Sequence, residues 1–269
     1  LKIFHAMLVL LGIAMTSQAS ATLVMIDPLT AQRIDRALHL PAAASPASDA
    51  AGARIAAVSA QFLGVPYQAQ TLIGSPLIAE KLVVDLRSVD CFTYLDYVEA
   101  LRKSTTYAGF VQNLVRTRYS DSQVSYLHRR HFFTDWAATQ PVNAFDITRQ
   151  LSDHSLSVSK ALNRKADGSE FLPQLGVTQR QVDYIPSRYI DQAVLDRLHT
   201  GDYIGIYTSQ PGLDVTHAGI FVETAHGPML RNASTRTANM KVVDSPFLAY
   251  IKSVPGIVVL RPVAGGEPL

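Results

Sequence analysis

The sequence is poor in residues that cross-link, ligate or charge a protein. A single cysteine in 269 residues excludes an intramolecular disulfide, a cysteine-rich zinc site and an iron–sulfur cluster. Charge is sparse and nearly balanced: 24 Lys and Arg stand against 22 Asp and Glu, a formal net charge of +2. That balance excludes nucleic-acid binding by bulk charge. Counts of 15 Gly and 14 Pro exclude a collagen-like or low-complexity chain. Apolar residues are abundant, at 48 %. They exclude intrinsic disorder and call for a sizeable buried core, in one large domain or two small ones.

Long apolar runs are missing except at the start. Residues 1–21 combine Lys2, an apolar run from Ala6 to Met15, and the small-x-small pattern Ala19-Ser20-Ala21. This reads as a signal peptide cleaved near Ala21–Thr22, with a retained anchor helix as the rival. The run is shorter than the roughly 20 apolar residues that span a bilayer. The expectation is an exported protein of the periplasm or cell envelope, with no stable membrane anchor after cleavage. A lone thiol there has no partner, which singles it out.

Residues 22–53 read as an N-terminal helix (Ala31–Leu40) and a Pro/Ala/Ser-rich linker over 41–53. The main body is then 54–269. Ile55, Val58 and Phe62 space a helix over Arg54–Leu63, stopped at Gly64-Val65-Pro66. Leu82–Leu86 is a strand or an extended lead-in. Phe92, Leu95, Val98 and Leu101 recur on one helix face ending near Lys103, with Asp90 as N-cap. Residues 105–186 are less periodic and read as an inserted elaboration of helices and loops. Strands follow up to Tyr207 and over Thr216–Glu223, Met229–Ser234 and Gly256–Arg261.

The N-cap places Cys91 in a helical first turn. Unpaired N–H groups and the helix dipole there stabilise a thiolate and can hold an oxyanion. A cysteine at such a place is either that nucleophile or a buried small apolar residue. His217 favours the first reading. Strand alternation puts His217, Gly219, Phe221 and Glu223 on one face and apolar Ala218, Ile220 and Val222 on the other, so His217 opens a strand beside a loop, as a general base would. If the hairpin closes with Thr224 opposite Met229, Phe221 lies opposite Asn232, which then shares the face of His217. Its carboxamide oxygen could fix the imidazole tautomer.

These blocks, Val89–Leu101, Gly201–Ile206, Gly212–Ile220 and Leu230–Ser234, resemble in order those of the DUF1460 amidases of the NlpC/P60 superfamily, over roughly residues 54–262. The resemblance implies an α+β fold with a papain-like core, in which an N-terminal helix carrying the cysteine packs on an antiparallel sheet. It implies Cys91 as nucleophile and His217 as base. The family more often has histidine where this chain has Asn232, and the superfamily accepts other polar residues there. The implied activity is cleavage of the amide between N-acetylmuramic acid and L-alanine in peptidoglycan fragments, with no cofactor.

The block Arg129-Arg-His-Phe-Phe-Thr-Asp-Trp136 also resembles a family block. Arg129, His131 and Trp136 are candidate substrate residues, since arginine pairs with carboxylates and aromatic rings stack on sugars. Asp90 is a further candidate, as cap and polar group together. The block reads equally as a basic-aromatic helix with Trp136 in the core and solvated arginines. His128 and His131 lack a third zinc ligand. Two rival functions remain: a γ-D-Glu–diaminopimelate endopeptidase and an inactive muropeptide-binding protein.

Overall fold

The computed structural model describes residues 27–41 and 50–264. The expected signal peptide and most of the expected linker lie outside them. Helix α1 (Pro28–Leu38) begins earlier than the apolar spacing suggests, because Asp27 caps it and Pro28 occupies its first position. Helix α2 (Ala50–Ala60) begins inside the stretch read as linker and ends before Leu63. A short hairpin, β1 (Ile73–Ser75) with β2 (Ile78–Lys81), precedes Leu82–Leu86, which is extended and outside any strand.

Helix α3 (Cys91–Arg102) is the centre of the molecule. Apolar spacing predicts one buried face, yet every residue from Thr93 to Arg102 is buried. Its acidic residues are tolerated there because each meets a cation or donor. Asp96 accepts from Arg118 at 2.8 Å, and Glu99 accepts from Arg102 at 2.6 Å and from the Tyr203 hydroxyl at 2.5 Å. Helix α4 (Tyr107–Arg118) packs beside α3 and supplies Arg118.

The stretch read as an insertion contains α5 (Asp135–Ala138), β3 (Ala144–Asp146), α6 (Thr148–Leu151), β4 (Leu156–Leu162) and β5 (Thr178–Pro186). Then come α7 (Gln192–Leu195), β6 (Tyr203–Tyr207), β7 (Val215–Thr224), β8 (Gly227–Ala233), β9 (Val242–Pro246), α8 (Phe247–Ile251) and β10 (Gly256–Pro262). One antiparallel sheet runs β4-β5-β10-β6-β7-β8-β9, and β3 also pairs with β10. The expected α+β class with an antiparallel sheet is therefore present. The elaboration is less separate than expected, since β3, β4 and β5 continue that sheet.

The sheet is covered on both faces. Ala218, Ile220 and Val222 join the core built around α3. Phe221 and Leu230 join a second core with Phe247 of α8, and the Phe221 and Phe247 rings meet edge-to-face at 5.0 Å. The face of His217 is thus covered along the middle of β7, at Gly219 and Phe221, and open toward its two ends, at His217 and Glu223.

Candidate active site

Asp90 is the N-cap of α3, as expected. Its Oδ1 accepts from the backbone N–H groups of Phe92 at 3.0 Å and Thr93 at 2.7 Å, while Thr93 Oγ1 accepts from the Asp90 N–H at 3.0 Å. This reciprocal box fixes the turn that presents Cys91. The sulfur is half-buried and faces the N–H groups of Ala218, Cys91 and Phe92. Ala218 directly follows His217, so the sulfur lies against the peptide next to the imidazole.

The thiol does not rest as the low-pKa thiolate that a helix N-terminus alone would favour. Burial and the Asp90 carboxylate push its pKa up to about 12, against the three N–H groups that favour the anion. Burial also lowers the pKa of His217, with a smaller contribution from the nearby Arg236 cation, while the bond to Asn232 acts the other way. The resting pair is therefore a neutral thiol and a neutral imidazole.

The tautomer of that imidazole follows from its neighbours. Asn232 Nδ2 donates to the Leu230 carbonyl at 3.0 Å and lies 3.2 Å from Ser245 Oγ. A carbonyl can only accept, so the carboxamide is pinned with Oδ1 toward His217. His217 Nε2 lies 3.0 Å from that oxygen and must carry the hydrogen. Nδ1 is left without its proton and able to take one.

The register that unites these two residues differs from the sequence expectation. Thr224 pairs with Gly227 and Phe221 with Leu230, a shift of two residues from the assumed pairing. A shift of two preserves the face, so Asn232 still shares the side of His217. It now lies across from Gly219, where an added Cβ would come within 3.0 Å of the Asn232 Cβ and 2.8 Å of Leu230 Cδ1. Glycine there gives the His217–Asn232 diagonal its room.

Two aromatic residues and a cation border the site without having stood out in the sequence. The Tyr250 ring lies 6.4 Å from that of His217 at an interplanar angle of 26°, and Arg236 sits 4.6 Å over the Tyr250 ring. The half-buried Tyr67 is close enough to Cys91 and Asp90 for their charges to raise its pKa further, beyond what burial does. None belongs to a motif, and only the closed fold brings them to the cysteine. An open polar cavity of about 600 Å³, lined by residues including Gln68, Gln70, Thr71, Arg87 and Ser88, flanks the segments on either side of Tyr67 and before Val89.

The Arg129–Trp136 block does not join this site. Trp136 is 0 % exposed and packs edge-to-face on Tyr203 at 4.9 Å and against Phe92 at 5.8 Å, so no ring face is left for a sugar. Both nitrogens of the Arg129 fork are held by Glu80, whose Oε1 also accepts from Tyr119 at 2.8 Å. His131 Nε2 meets the Tyr126 carbonyl at 2.9 Å, and burial lowers its pKa. Trp136, expected to meet substrate, is a core residue instead, and Arg129 and His131, expected to do the same, are engaged within the protein: the block packs on Phe92 of the first turn of α3 and pairs with Glu80 of the β1–β2 hairpin. Among the described residues no cluster of three or more His, Cys, Asp or Glu could hold a metal ion. No described helix is long and apolar enough to cross a membrane.

The fold has relatives. Residues 57–257 match the family model of AmiA-like, N-acetylmuramoyl-L-alanine amidase-like proteins, and the chain belongs to that family. It is similar to the crystal structure of an N-acetylmuramoyl-L-alanine amidase from Bacteroides uniformis, with 28 % identity, a TM-score of 0.68, and coverage of 79 % of this chain and 98 % of that one. A DUF1460 protein from Legionella pneumophila shares the fold at 22 % identity and a TM-score of 0.67, covering 81 % of this chain and 92 % of that one. No curated protein matches the chain.

Proposed function

We propose that the protein is a cysteine amidase of the cell envelope, with a papain-like NlpC/P60 core, that cleaves the bond between N-acetylmuramic acid and L-alanine in peptidoglycan fragments. Membership of the amidase-like family supports an enzyme that hydrolyses amide bonds. The observation that carries the mechanism is the His217–Asn232 bond, which puts the hydrogen on Nε2 and leaves Nδ1 as the base. In this reading the thiol proton of Cys91 passes to Nδ1 as the sulfur attacks the lactyl carbonyl. The carbonyl oxygen becomes an oxyanion held by N–H groups of the α3 first turn and its surroundings. The C–N bond then breaks as His217 returns the proton to the leaving L-alanine nitrogen. Water, deprotonated by the same nitrogen, opens the thioester and releases the muramic acid carboxylate and the free thiol. The raised thiol pKa fits proton transfer during attack rather than a preformed ion pair.

The sugar half cannot rest on Trp136. The open polar cavity beside Tyr67 offers amide and hydroxyl groups suited to a glycan instead. Mass spectrometry of products from a defined muropeptide set tests the reading. It requires a new free amine on L-alanine from N-acetylmuramyl peptides and an intact free L-Ala-γ-D-Glu-diaminopimelate. Cleavage of that free tripeptide would establish the endopeptidase instead, and no turnover of any member would leave a binding protein. Residues 1–21, read as an export signal, fit action outside the cytoplasm.

A further inference from the structure

His217, Tyr250 and Arg236 form a stack beside the cysteine: the imidazole lies 6.4 Å from the phenol ring, and the guanidinium caps that ring at 4.6 Å. Arg236 is exposed and makes no ion pair with a carboxylate among the described residues. The other arginines near the sheet differ. Arg231 is held by Asp244 at 2.7 Å and Arg261 by Asp202 at 2.8 Å. Arg236 is presented on an aromatic platform, which holds its plane while leaving its donors free.

The place of the stack beside His217 gives it meaning, on the amidase reading proposed above. His217 hands its proton to the leaving amine, so the leaving half of the substrate lies on the His217 side of the sulfur. Tyr250 adjoins His217, and Arg236 adjoins Tyr250. In a muramyl peptide the leaving half begins at L-alanine, and the first free anion along a stem is the α-carboxylate of the γ-linked glutamate. One extended residue covers about 3.5 Å, which places that carboxylate roughly 6–7 Å from the leaving nitrogen. The guanidinium lies 4.6 Å from a ring that is itself 6.4 Å from the imidazole, a separation that such a stem spans once a hydrogen bond of about 3 Å is added at each end.

We infer that Arg236, seated on Tyr250, is a specificity-determining residue that pairs with the first free carboxylate of the peptide leaving group, and that the enzyme therefore distinguishes a stem with free glutamate from one in which that carboxylate is amidated.

The test compares N-acetylmuramyl-L-alanyl-D-glutamate with its D-isoglutamine counterpart. The wild type is expected to favour the acid by roughly tenfold or more in kcat/KM, the size of one charge-assisted hydrogen bond, mainly through KM. Arg236→Gln should abolish the preference, read as the ratio of the two kcat/KM values so that any effect of the lost cation on His217 cancels, and Arg236→Lys should keep part of it. Equal rates on the two compounds in the wild type, or the same preference in Arg236→Gln, would overturn the assignment. Calorimetric binding of both compounds to Cys91→Ala, with and without Arg236→Gln, decides the same question without turnover. If the wild type cleaves neither compound, the amidase reading fails, while tighter binding of the acid that depends on Arg236 still sustains the recognition role, and its absence removes it.

Discussion

Two regions look equally chemical in the sequence, and the fold treats them in opposite ways. The Arg129–Trp136 block concentrates two arginines, a histidine and the only tryptophan within a few residues. The pair His217 and Asn232 is two ordinary residues, one near the start of a strand and one late in the next. In the block the arginines and the histidine are already partnered: Arg129 on Glu80, His131 on a carbonyl, and Arg130 on the carbonyls of Arg116, Thr117 and Pro141 at 2.6–2.8 Å; the buried Trp136 Nε1–H, which has no partner, is the exception. In the pair, Asn232 fixes one imidazole nitrogen and leaves the other open, on the residue before the Ala218 N–H that faces the half-buried cysteine. A dense cluster of polar groups inside a fold is thus more readily a set of braces, whereas reactivity belongs to the group whose capacity is not satisfied.

The largest effect that would break this contrast concerns the sulfur. Cys91→Ala should remain folded and lose hydrolysis by at least about 10⁴-fold, since no other cysteine can act as nucleophile. The raised thiol pKa adds a signature. Only the thiolate alkylates, so inactivation of the free enzyme by iodoacetamide should be slow near neutrality and keep accelerating as pH rises toward about 12. A fully alkylated enzyme that still turns over, or an inactivation rate already flat by neutral pH, would remove the neutral-pair mechanism.

A smaller effect tests the tautomer. Asn232→Ala should reduce kcat by roughly tenfold, less than the 10²–10⁴-fold expected for His217→Ala, because water can partly replace an orienting group. The acid limb of the rate profile gives an independent check. Burial holds the His217 pKa below its ordinary value, and a base works only when unprotonated, so activity should persist in mildly acid solution and fall only below the usual histidine range. The Asn232 bond opposes that depression, so Asn232→Ala should move the limb further toward acid, and Asn232→His should restore rate. An unchanged limb in Asn232→Ala would place the orienting group elsewhere.

The parts of the site that were legible are those governed by local rules. Asp90 as N-cap needs only the residues around it, and the shared face of His217 and Asn232 needs only strand parity, which survives a two-residue error in register. What was illegible depends on long-range closure. Tyr250 and Arg236 meet His217 only after β9 and α8 fold back. The strands of residues 105–186 are hidden because β4 and β5 alternate without strong apolar content; the part of β5 that enters the main sheet is only its end, Ile185 and Pro186. The helix dipole argument for Cys91 pointed the wrong way on pKa, since it counts N–H groups and omits burial and the neighbouring Asp90. Trp136 was ambiguous for the same reason: a large aromatic residue serves a core or a sugar equally well until its exposure is known.

The smallest effect on catalysis is the one that sharpens the comparison most. Arg129 would be a substrate ligand if its fork were free, and a brace if Glu80 holds it. Glu80 is nearly buried, with 2 % of its side chain exposed, so removing the cation leaves a carboxylate with only the Tyr119 hydroxyl for compensation. Because Arg129 itself keeps some contact with water, the cost is set below that of a fully buried pair, at about 1–3 kcal/mol. Arg129→Ala should therefore lower the thermal midpoint and expose the β1–β2 hairpin to proteolysis. Its kcat/KM on muramyl peptides, measured well below that midpoint, should stay within about threefold of wild type. Glu80→Gln should destabilise in the same direction, and the double variant should cost less than the two single changes added together, because the two groups act as one pair. A stable Arg129→Ala protein with a large, selective loss on muramyl substrates would return the arginine to the binding site and undo the distinction between the two regions.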